Sequence, residues 1–307
     1  MQPQSSLRGV WPAVLTPFDE QLAIDDARLA RHCGALLAAG CRGVSLFGTT
    51  GEGTALSADE RQRSLEAAIA TGVPAARIMP STGCCDVPTS AVLAAHAVSL
   101  GVECVLVLPP FYLKDVGEAG IYAHIAATIE RTAALARGRS PKICLYNFPF
   151  HTGLTLRPAL VRRLADAFPG VLVAVKDSSG DWPLSSSYLC ELPDLDIFVG
   201  DERTVLAAIR AGGAGTVSGM ANAIAADLVQ LCTGEARGAD ILQNKISAAV
   251  AAVTAHSFVP AIKSALAELW RDTAWRAVRP PLEAAGPEDG ASVLASLRAA
   301  GANLLKI

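Results

Sequence analysis

The chain has 307 residues, of which 51% are hydrophobic and 18% are charged, and its net charge at pH 7 is −3. This length fits either two domains of ordinary size or one large barrel. The sequence contains no basic block, which argues against a nucleic-acid partner, and no run of eighteen apolar residues, which argues against a membrane-spanning helix.

Residues 1–6 show neither the charged nor the apolar segment of a signal peptide, so we expect a cytoplasmic protein. The eight cysteines form no Cys-x-x-Cys pair, and the five histidines show no metal-ligand spacing. We therefore expect free thiols, including the adjacent Cys84 and Cys85, and no metal site.

Short β-rich segments alternate along the chain with longer segments of helical period. Eight strands are predicted at residues 9–17, 43–48, 76–83, 102–110, 142–149, 171–176, 196–201 and 213–219. The helices predicted between them cover residues 26–40, 57–71, 87–100, 117–137, 157–167, 183–191 and 202–211. Ser57 and Glu60 form a capping-box pattern at the start of the second helix.

Strands that are apolar on both faces, each followed by a helix, indicate a parallel sheet covered by helices. Eight such units predict an α/β fold of the (β/α)8 TIM-barrel type, and the alternative is a doubly wound open sheet. After residue 222 the pattern is helical only, over residues 223–233, 238–255, 258–277 and 288–303, with breaks at Gly234 and several prolines. We therefore predict a barrel domain over residues 1–233 and a C-terminal helical domain over residues 234–307.

Polar residues follow the ends of several predicted strands, where a barrel carries its chemistry. Lys176 ends an otherwise apolar strand, and it is one of only six lysines in the chain. Burial at a barrel mouth favours the neutral amine, which is a nucleophile that forms Schiff bases with keto acids. The alternative, which the sequence leaves equally open, is an ion pair of Lys176 with Asp177 or another carboxylate.

The segment Gly48-Thr49-Thr50-Gly51-Glu52 follows the second predicted strand. Its glycines allow a close backbone approach, and successive N–H groups with two hydroxyls suit an anion such as a carboxylate. The alternative is an ordinary glycine-rich turn. The segment matches neither nucleotide-binding pattern, which lowers the case for a nucleotide-dependent oxidoreductase.

Two tyrosines and a histidine are further candidates. A phenol at a strand end, such as Tyr146 or Tyr112, can act as a general acid and base, although packing is the commoner role of a single tyrosine. His151 lies in the loop after the fifth predicted strand, and its alternative role is that of a solvated loop residue.

Three segments in this order resemble the dihydrodipicolinate synthase/N-acetylneuraminate lyase family, and the resemblance covers nearly the whole chain. They are Gly48-Thr49-Thr50-Gly51-Glu52, Tyr146-Asn147-x-Pro149-x-x-x-Gly153, and Val175-Lys176-Asp177-Ser178-Ser179-Gly180. The resemblance implies a barrel with a C-terminal helical domain, a tetramer built from tight dimers, and a reaction without a metal or organic cofactor.

The resemblance also implies roles for individual residues. Lys176 forms a Schiff base with pyruvate or a related 2-oxo acid, and Tyr146 is the acid and base beside the imine. Thr49 links Tyr146 to Tyr112 of a neighbouring subunit, and Thr50 holds the carboxylate of the keto acid.

Other positions implied by the resemblance surround the substrate. Val217 lines the pyruvate pocket, Gly200 lies beside it, and Gly48 belongs to the turn that binds the carboxylate. His151 stands where the synthases usually carry an arginine that receives a carboxylated aldehyde, and neutral histidine lacks the bidentate fork of arginine. Phe148, with Phe150, narrows and dries this side of the site.

The positions that correspond to the lysine-feedback site of the family also differ. They hold Gly53, Ala58, Arg61 and Cys85, where the family often has histidine and asparagine. We therefore expect free lysine not to inhibit this protein.

The sequence thus predicts a lyase that condenses a 2-oxo acid with an aldehyde, or cleaves the corresponding aldol, through an enamine on Lys176. The aldehyde remains open between the lysine-pathway synthase, an aldolase for a 2-keto-3-deoxy sugar acid, and a dehydratase or deaminase for a keto-deoxy acid. A keto-acid-binding regulator is the alternative outside enzymes, but binding alone requires no amine nucleophile beside an acid and base.

Overall fold

A parallel six-stranded sheet forms the centre of the molecule in the computed structural model, which describes residues 7–233 and 238–307. The strands are β1 (Gly9–Pro12), β2 (Val105–Val107), β3 (Ile143–Asn147), β4 (Leu172–Asp177), β5 (Asp196–Val199) and β6 (Gly215–Ser218). Their order in the sheet is β1-β6-β5-β4-β3-β2, so the first strand in the chain lies beside the last. The sheet is curled into a half-barrel.

Two of the eight expected strands, residues 43–48 and 76–83, form isolated parallel bridges instead of continuous ladders. The bridges join Ala13 to Ser45, Val44 to Ile78, and Ser81 to Leu106. Pro80 has no N–H to donate to a ladder, and the backbone leaves the extended region at Phe47, where φ is +59°. The two segments therefore run between β1 and β2 without forming continuous ladders.

Helices follow the strands as the alternation predicts. They are α1 (Asp26–Ala38), α2 (Ala58–Ala70), α3 (Val87–Ser99), α4 (Glu118–Leu135), α5 (Pro149–Thr152), α6 (Pro158–Ala167), α7 (Trp182–Glu191), α8 (Val205–Arg210) and α9 (Ala221–Cys232). The capping box at α2 is confirmed, since Glu60 N–H donates to Ser57 Oγ at 3.2 Å and Ser57 N–H donates to Glu60 Oε2 at 2.9 Å. The short helix α5 was not expected.

Three more helices follow, namely α10 (Ala239–Thr254), α11 (Phe258–Trp270) and α12 (Pro287–Ala299). Helix α11 ends earlier than expected, because Arg271 takes a left-handed conformation and a separate 3-10 turn, Thr273–Arg276, follows. Gly234 and the predicted domain boundary lie outside the described residues, so the boundary stays a prediction. Apolar residues of α10–α12 belong to the same buried cluster as those of the preceding helices.

No single helix of the described residues is long and apolar enough to cross a membrane. Helices α10 and α11 have the length and apolar composition of a membrane span only when taken together, and they are bent by 106° at the break between them.

Alternate residues of the strands enter two separate apolar clusters. One cluster lies between the strands and the helices, and its strand residues are Val10, Val105, Val107, Ile143, Leu145, Leu172, Val175, Ile197 and Val199. The other lies on the inner face of the curled sheet and contains Leu7, Trp11, Met79, Cys104, Leu106, Leu108, Cys144, Tyr146, Ala174, Phe198, Ala214 and Val217. The inner face is therefore dry up to the carboxyl ends of the strands.

A buried hydrogen-bond group joins the end of β1 to the start of α9. Asn222 Nδ2 donates to Ala13 O at 2.8 Å, and Asn222 Oδ1 accepts from Leu15 N–H at 3.1 Å. His32 Nε2 lies 2.8 Å from the same oxygen, and its ring packs against Trp270 and Trp275. Burial lowers the pKa of the His32 imidazole from 6.5 to about 4.

We expect His32 to make the protein less stable in mild acid. The unfolded chain protonates His32 below about pH 6.5, whereas the folded chain does so only near pH 4, so stability is lost as the pH falls through this window. Unfolding in denaturant at about pH 7.5 and about pH 5 should show a loss of about 2 kcal/mol from this residue. His32→Gln does not titrate, and an equal pH dependence in that variant and in the wild type would contradict the assignment.

Candidate active site

Lys176 lies near the end of β4 on the inner face of the sheet, two residues after Ala174 of the inner cluster. Its side chain is buried, with 4% of the residue exposed. The parallel register places Tyr146 of β3 and Phe198 of β5 on either side of it. Lys176 Nζ lies 3.9 Å from the centre of the Tyr146 ring, which is a cation–π distance for the protonated amine.

The carboxylate next to Lys176 in the chain points the other way. Asp177 Oδ1 accepts from Asn147 Nδ2 at 2.8 Å, and Asp177 Oδ2 accepts from the hydroxyls of Ser179 at 2.9 Å and Ser185 at 2.5 Å. Within the described residues, no carboxylate oxygen lies within 4.0 Å of Lys176 Nζ. The ion pair of Lys176 with Asp177, which the sequence left open, is therefore not formed.

The turn over residues 48–53 is compact and closely packed. Gly53 N–H donates to Gly48 O at 3.0 Å, Glu52 N–H donates to Thr49 O at 3.1 Å, and Thr16 Oγ1 donates to Gly51 O at 2.7 Å. A Cβ atom on Gly53 would lie 1.8 Å from Phe47 O, so only glycine fits there. These contacts leave Thr50 half-buried and Thr49 exposed at the surface.

The turn also has a buried anchor that the sequence reasoning missed. Glu52 Oε1 accepts from Lys263 Nζ of α11 at 2.5 Å, and Glu52 Oε2 accepts from Arg279 N–H at 2.8 Å. Burial lowers the pKa of the Lys263 ammonium to about 8 although Glu52 opposes the shift. A signal was present, because Lys263 is the one charged residue in the apolar stretch from Phe258 to Leu266.

Aromatic rings line the side of the site above β3. Phe148 stacks on Tyr146 with ring centres 5.5 Å apart, and His151 meets Phe148 edge to face at 4.5 Å. Phe150, which is 84% exposed, lies 5.2 Å from His151. Burial lowers the pKa of His151, and the charge of Lys114 lowers it further, so the imidazole is neutral at pH 7.

Lys114 fixes this aromatic group to the loop after β2. Its ammonium donates to Phe111 O at 2.5 Å and to the carbonyl oxygens of His151 and Thr152, both at 3.1 Å. The charge of Lys114 is therefore satisfied by three backbone carbonyls, and these bonds tie α5 to the loop after β2.

The remaining expected site residues occupy different surroundings. Val217 of β6 is buried in the inner cluster, and Gly200 follows β5 so closely packed that a Cβ would lie 1.9 Å from Ser178 Oγ. Tyr112 is 80% exposed, and Thr49 is exposed too. Within the described part of one chain, neither hydroxyl forms a hydrogen bond. The expected link between them through a second subunit stays a prediction.

The positions that differ from the lysine-feedback pattern have a structural explanation in part. Arg61 is 5% exposed, and its guanidinium donates to Thr82 O at 2.7 Å and to Gly53 O. Cys84 lies beside it as a free thiol whose pKa is raised by burial, and Cys85 is also a free thiol. A buried arginine thus fills the space between the turn and the segment after residue 82.

A cleft of about 540 Å³ opens at the opposite end of β4 and β5. It is lined by Ala165, Asp166, Pro169, Gly170, Leu172, Val173, Asp194, Leu195 and Asp196. Asp166 and Asp194 of the cleft pair with Arg162, and the cleft lies at the end of β4 away from Lys176. Among residues 7–233 and 238–307, no group of three or more histidine, cysteine or acidic side chains is placed to hold a metal ion.

Comparison with known proteins gives one consistent result. The sequence profile of the dihydrodipicolinate synthetase family matches residues 6–300. An uncharacterised DapA-like lyase of Chloroflexus aurantiacus is 33% identical over 95% of both chains. A 4-hydroxy-tetrahydrodipicolinate synthase of Salinibacter ruber is 32% identical over 73% of this chain and 72% of its own.

A solved structure agrees with these relatives. The crystal structure of dihydrodipicolinate synthase from Agrobacterium tumefaciens has a TM-score of 0.86 and 34% identity, covering 95% of this chain and 98% of that one. The likeness extends through the C-terminal helices as well as the sheet.

The packing of the turn predicts that two glycine variants differ in how much stability they lose. Gly53→Ala forces Phe47 O away from the new methyl group, so we expect unfolding in denaturant to show a loss of about 3 kcal/mol. Gly48→Ala is the matched variant, because its Cβ meets nothing within 4 Å, and its stability should change by less than about 0.5 kcal/mol. Equal stability of the two variants would contradict the described shape of the turn.

Proposed function

The chain belongs to the dihydrodipicolinate synthetase family, and from that premise we propose which residues carry its chemistry. Members of the family are class I, pyruvate-dependent lyases and aldolases, and this chain is a Schiff-base-forming lyase of that kind. We assign the Schiff base with pyruvate, or another 2-oxo acid, to Lys176.

The observation that carries the assignment is a buried amine on the dry inner face with no carboxylate beside it. Such an amine, once neutral, attacks the C2 carbonyl of the keto acid, and the carbinolamine takes a proton from the neighbouring acid on its hydroxyl and loses it as water, which gives a protonated imine. The imine withdraws electrons, so a proton leaves C3 and an enamine forms. The enamine carbon then attacks an aldehyde carbonyl, and hydrolysis of the product imine returns the free lysine.

The neighbouring residues supply the proton transfers and the binding contacts in this proposal. Tyr146, whose ring lies 3.9 Å from Lys176 Nζ, is the acid and base beside the imine. Thr50 and the backbone of Gly48 bind the carboxylate of the keto acid. Thr49 relays protons between Tyr146 and Tyr112 of a second subunit.

The same proposal includes the parts of the architecture that surround the site. Val217 and Gly200 border the pyruvate, and residues 43–48 and 76–83 complete an eightfold barrel through the bridges to β1 and β2. The helices after residue 233 form the C-terminal domain. The exposure of Thr49 and Tyr112 supports a homotetramer built from dimers that pair these residues. The chemistry requires no metal or organic cofactor.

The second substrate meets the aromatic side of the site. That side is formed by Phe148, His151 and Phe150. Lys114, the nearby cation, donates its hydrogen bonds to backbone carbonyls. A neutral imidazole attracts a carboxylate far less than a guanidinium does. We therefore propose an aldehyde without a carboxylate beside His151, which the aldolase and dehydratase alternatives allow.

The lysine-pathway synthase is the second candidate, and the names of the relatives favour it. A keto-acid-binding regulator is less favoured, because simple binding needs no buried amine next to a phenol. An oxidoreductase is least favoured, because the chain lacks a nucleotide-binding pattern.

Borohydride reduction in the presence of pyruvate tests the Schiff base directly. We expect intact mass to increase by one reduced pyruvate adduct per chain, and peptide mapping to place it on Lys176. Lys176→Ala should abolish the adduct, whereas Lys142→Ala, which changes an exposed lysine, should leave it unchanged. An adduct that survives Lys176→Ala would refute the mechanism.

Exchange of His151 tests the choice of aldehyde. With pyruvate fixed, His151→Arg should raise kcat/KM for a carboxylated aldehyde, such as aspartate semialdehyde, by about tenfold or more, because a charge-assisted bidentate contact becomes available. His151→Gln is the control for loss of the ring without gain of charge. The proposal is wrong if the wild type uses aspartate semialdehyde as fast as any other aldehyde in a panel.

A further inference from the structure

A buried ion pair joins the turn over residues 48–53 to the C-terminal helices. Lys263 of α11 is 0% exposed and Glu52 is 3% exposed, and their charged atoms are 2.5 Å apart. The two residues are 211 positions apart in the sequence. A pair of this kind is costly to break, because removal of one partner leaves a buried charge without compensation.

Both ends of the pair are fully engaged. Lys263 Nζ also donates to Ala277 O at 2.6 Å and lies 4.5 Å from the centre of the Phe18 ring. The second oxygen of Glu52 accepts from Arg279 N–H at 2.8 Å. The Arg279 guanidinium is directed elsewhere, to the carboxylate of Glu60 and to backbone carbonyls. Lys263 is therefore the side chain that forms the direct ion pair with Glu52.

Glu52 is part of the backbone that shapes the turn. Its φ is +56°, a left-handed conformation that is unfavourable for a residue with a side chain. Its N–H closes the turn on Thr49 O, and it stands only two positions after Thr50. Because Lys263 Nζ and Arg279 N–H hold the carboxylate of Glu52, the strained backbone of Glu52 keeps one shape.

We infer that Lys263 is a positioning residue for the reaction, which holds Glu52 and so keeps the turn in the shape that receives the carboxylate of the 2-oxo acid. The inference rests on the proposed function for the role of the turn. Lys263 does not touch the substrate, since it lies beneath the turn and is wholly buried. The C-terminal helices thus contribute to substrate binding through this ion pair.

The test measures half-saturation by pyruvate separately from the maximal rate. Lys263→Met keeps the length of the side chain and removes the charge. We expect the pyruvate concentration for half-maximal borohydride trapping at Lys176 to rise about 10- to 100-fold, with a much smaller change in the rate at saturation. Lys263→Arg, which keeps the positive charge, should recover part of the loss.

A double variant separates positioning from a merely structural role. Glu52→Gln with Lys263→Met removes both buried charges, so its unfolding temperature should return towards that of the wild type. Its half-saturation should stay raised, because the anchor of the turn is still missing. If half-saturation recovers together with stability, the positioning role is wrong.

Lys245→Met is the matched control. Lys245 of α10 also pairs with a buried carboxylate outside the C-terminal helices, Asp227 of α9, at 3.0 Å, but it lies away from the turn. Its half-saturation by pyruvate should stay within about twofold of the wild type. A rise equal to that of Lys263→Met would show a general effect of loosened helices and overturn the inference.

Hydrogen exchange gives a readout that needs no catalysis. In Lys263→Met, the amides of residues 49–56 should exchange faster, while those of β3 and β4 should not. If the wild type forms no adduct with pyruvate but this local increase appears, the proposed function fails and the positioning of the turn stands. Unchanged exchange, or half-saturation within about twofold of the wild type in folded Lys263→Met, overturns the inference.

Discussion

Adjacent residues of a β-strand point to opposite faces, and at the end of β4 this rule separates an amine from the carboxylate that follows it in the chain. Lys176 enters the dry inner face of the sheet, and Asp177 enters the layer between the strands and the helices. In that layer Asp177 accepts hydrogen bonds from Asn147 of β3, Ser185 of α7 and Ser179 of the loop between β4 and α7. If the strand slipped by one residue, the carboxylate would replace the amine on the inner face, so the register of β3, β4 and β5 determines which charged group that face carries.

Two buried polar side chains satisfy hydrogen bonds with groups that are distant in the sequence. Asn222 joins β1 to α9, and Glu52 joins the turn after residue 47 to α11. Burial of these polar groups costs desolvation free energy. Hydrophobic residues of similar size in their place often stabilise a fold equally well. These contacts define the relative positions of the elements they join, because a hydrogen-bonded pair fixes distances that apolar packing leaves adjustable.

The sequence was sufficient for most of the strand positions and for the place of Lys176 at the end of its strand, because both follow from local pattern. Lys176 is conspicuous at the end of an apolar strand, and six of the eight expected strands are present. The segments at 43–48 and 76–83 form isolated bridges and not ladders, because Pro80 and the left-handed Phe47 interrupt the pairing. The Lys263–Glu52 pair was not predictable by local reasoning, since the partners are brought together only by the complete fold. The neutral state of His151 depends in the same way on burial and on Lys114, which sequence spacing does not show.

The separation of 211 residues between Glu52 and Lys263 also orders events in time. A ribosome adds roughly 5–20 residues per second, so the turn is synthesised about 10 to 40 s before the lysine that neutralises it. During that interval Glu52 has no partner for burial, and its carboxylate is better solvated by water than packed beneath the turn. The nascent chain therefore carries Lys176 well before the turn over residues 48–53 has its buried anchor. Synthesis of α11 is the step that supplies this anchor.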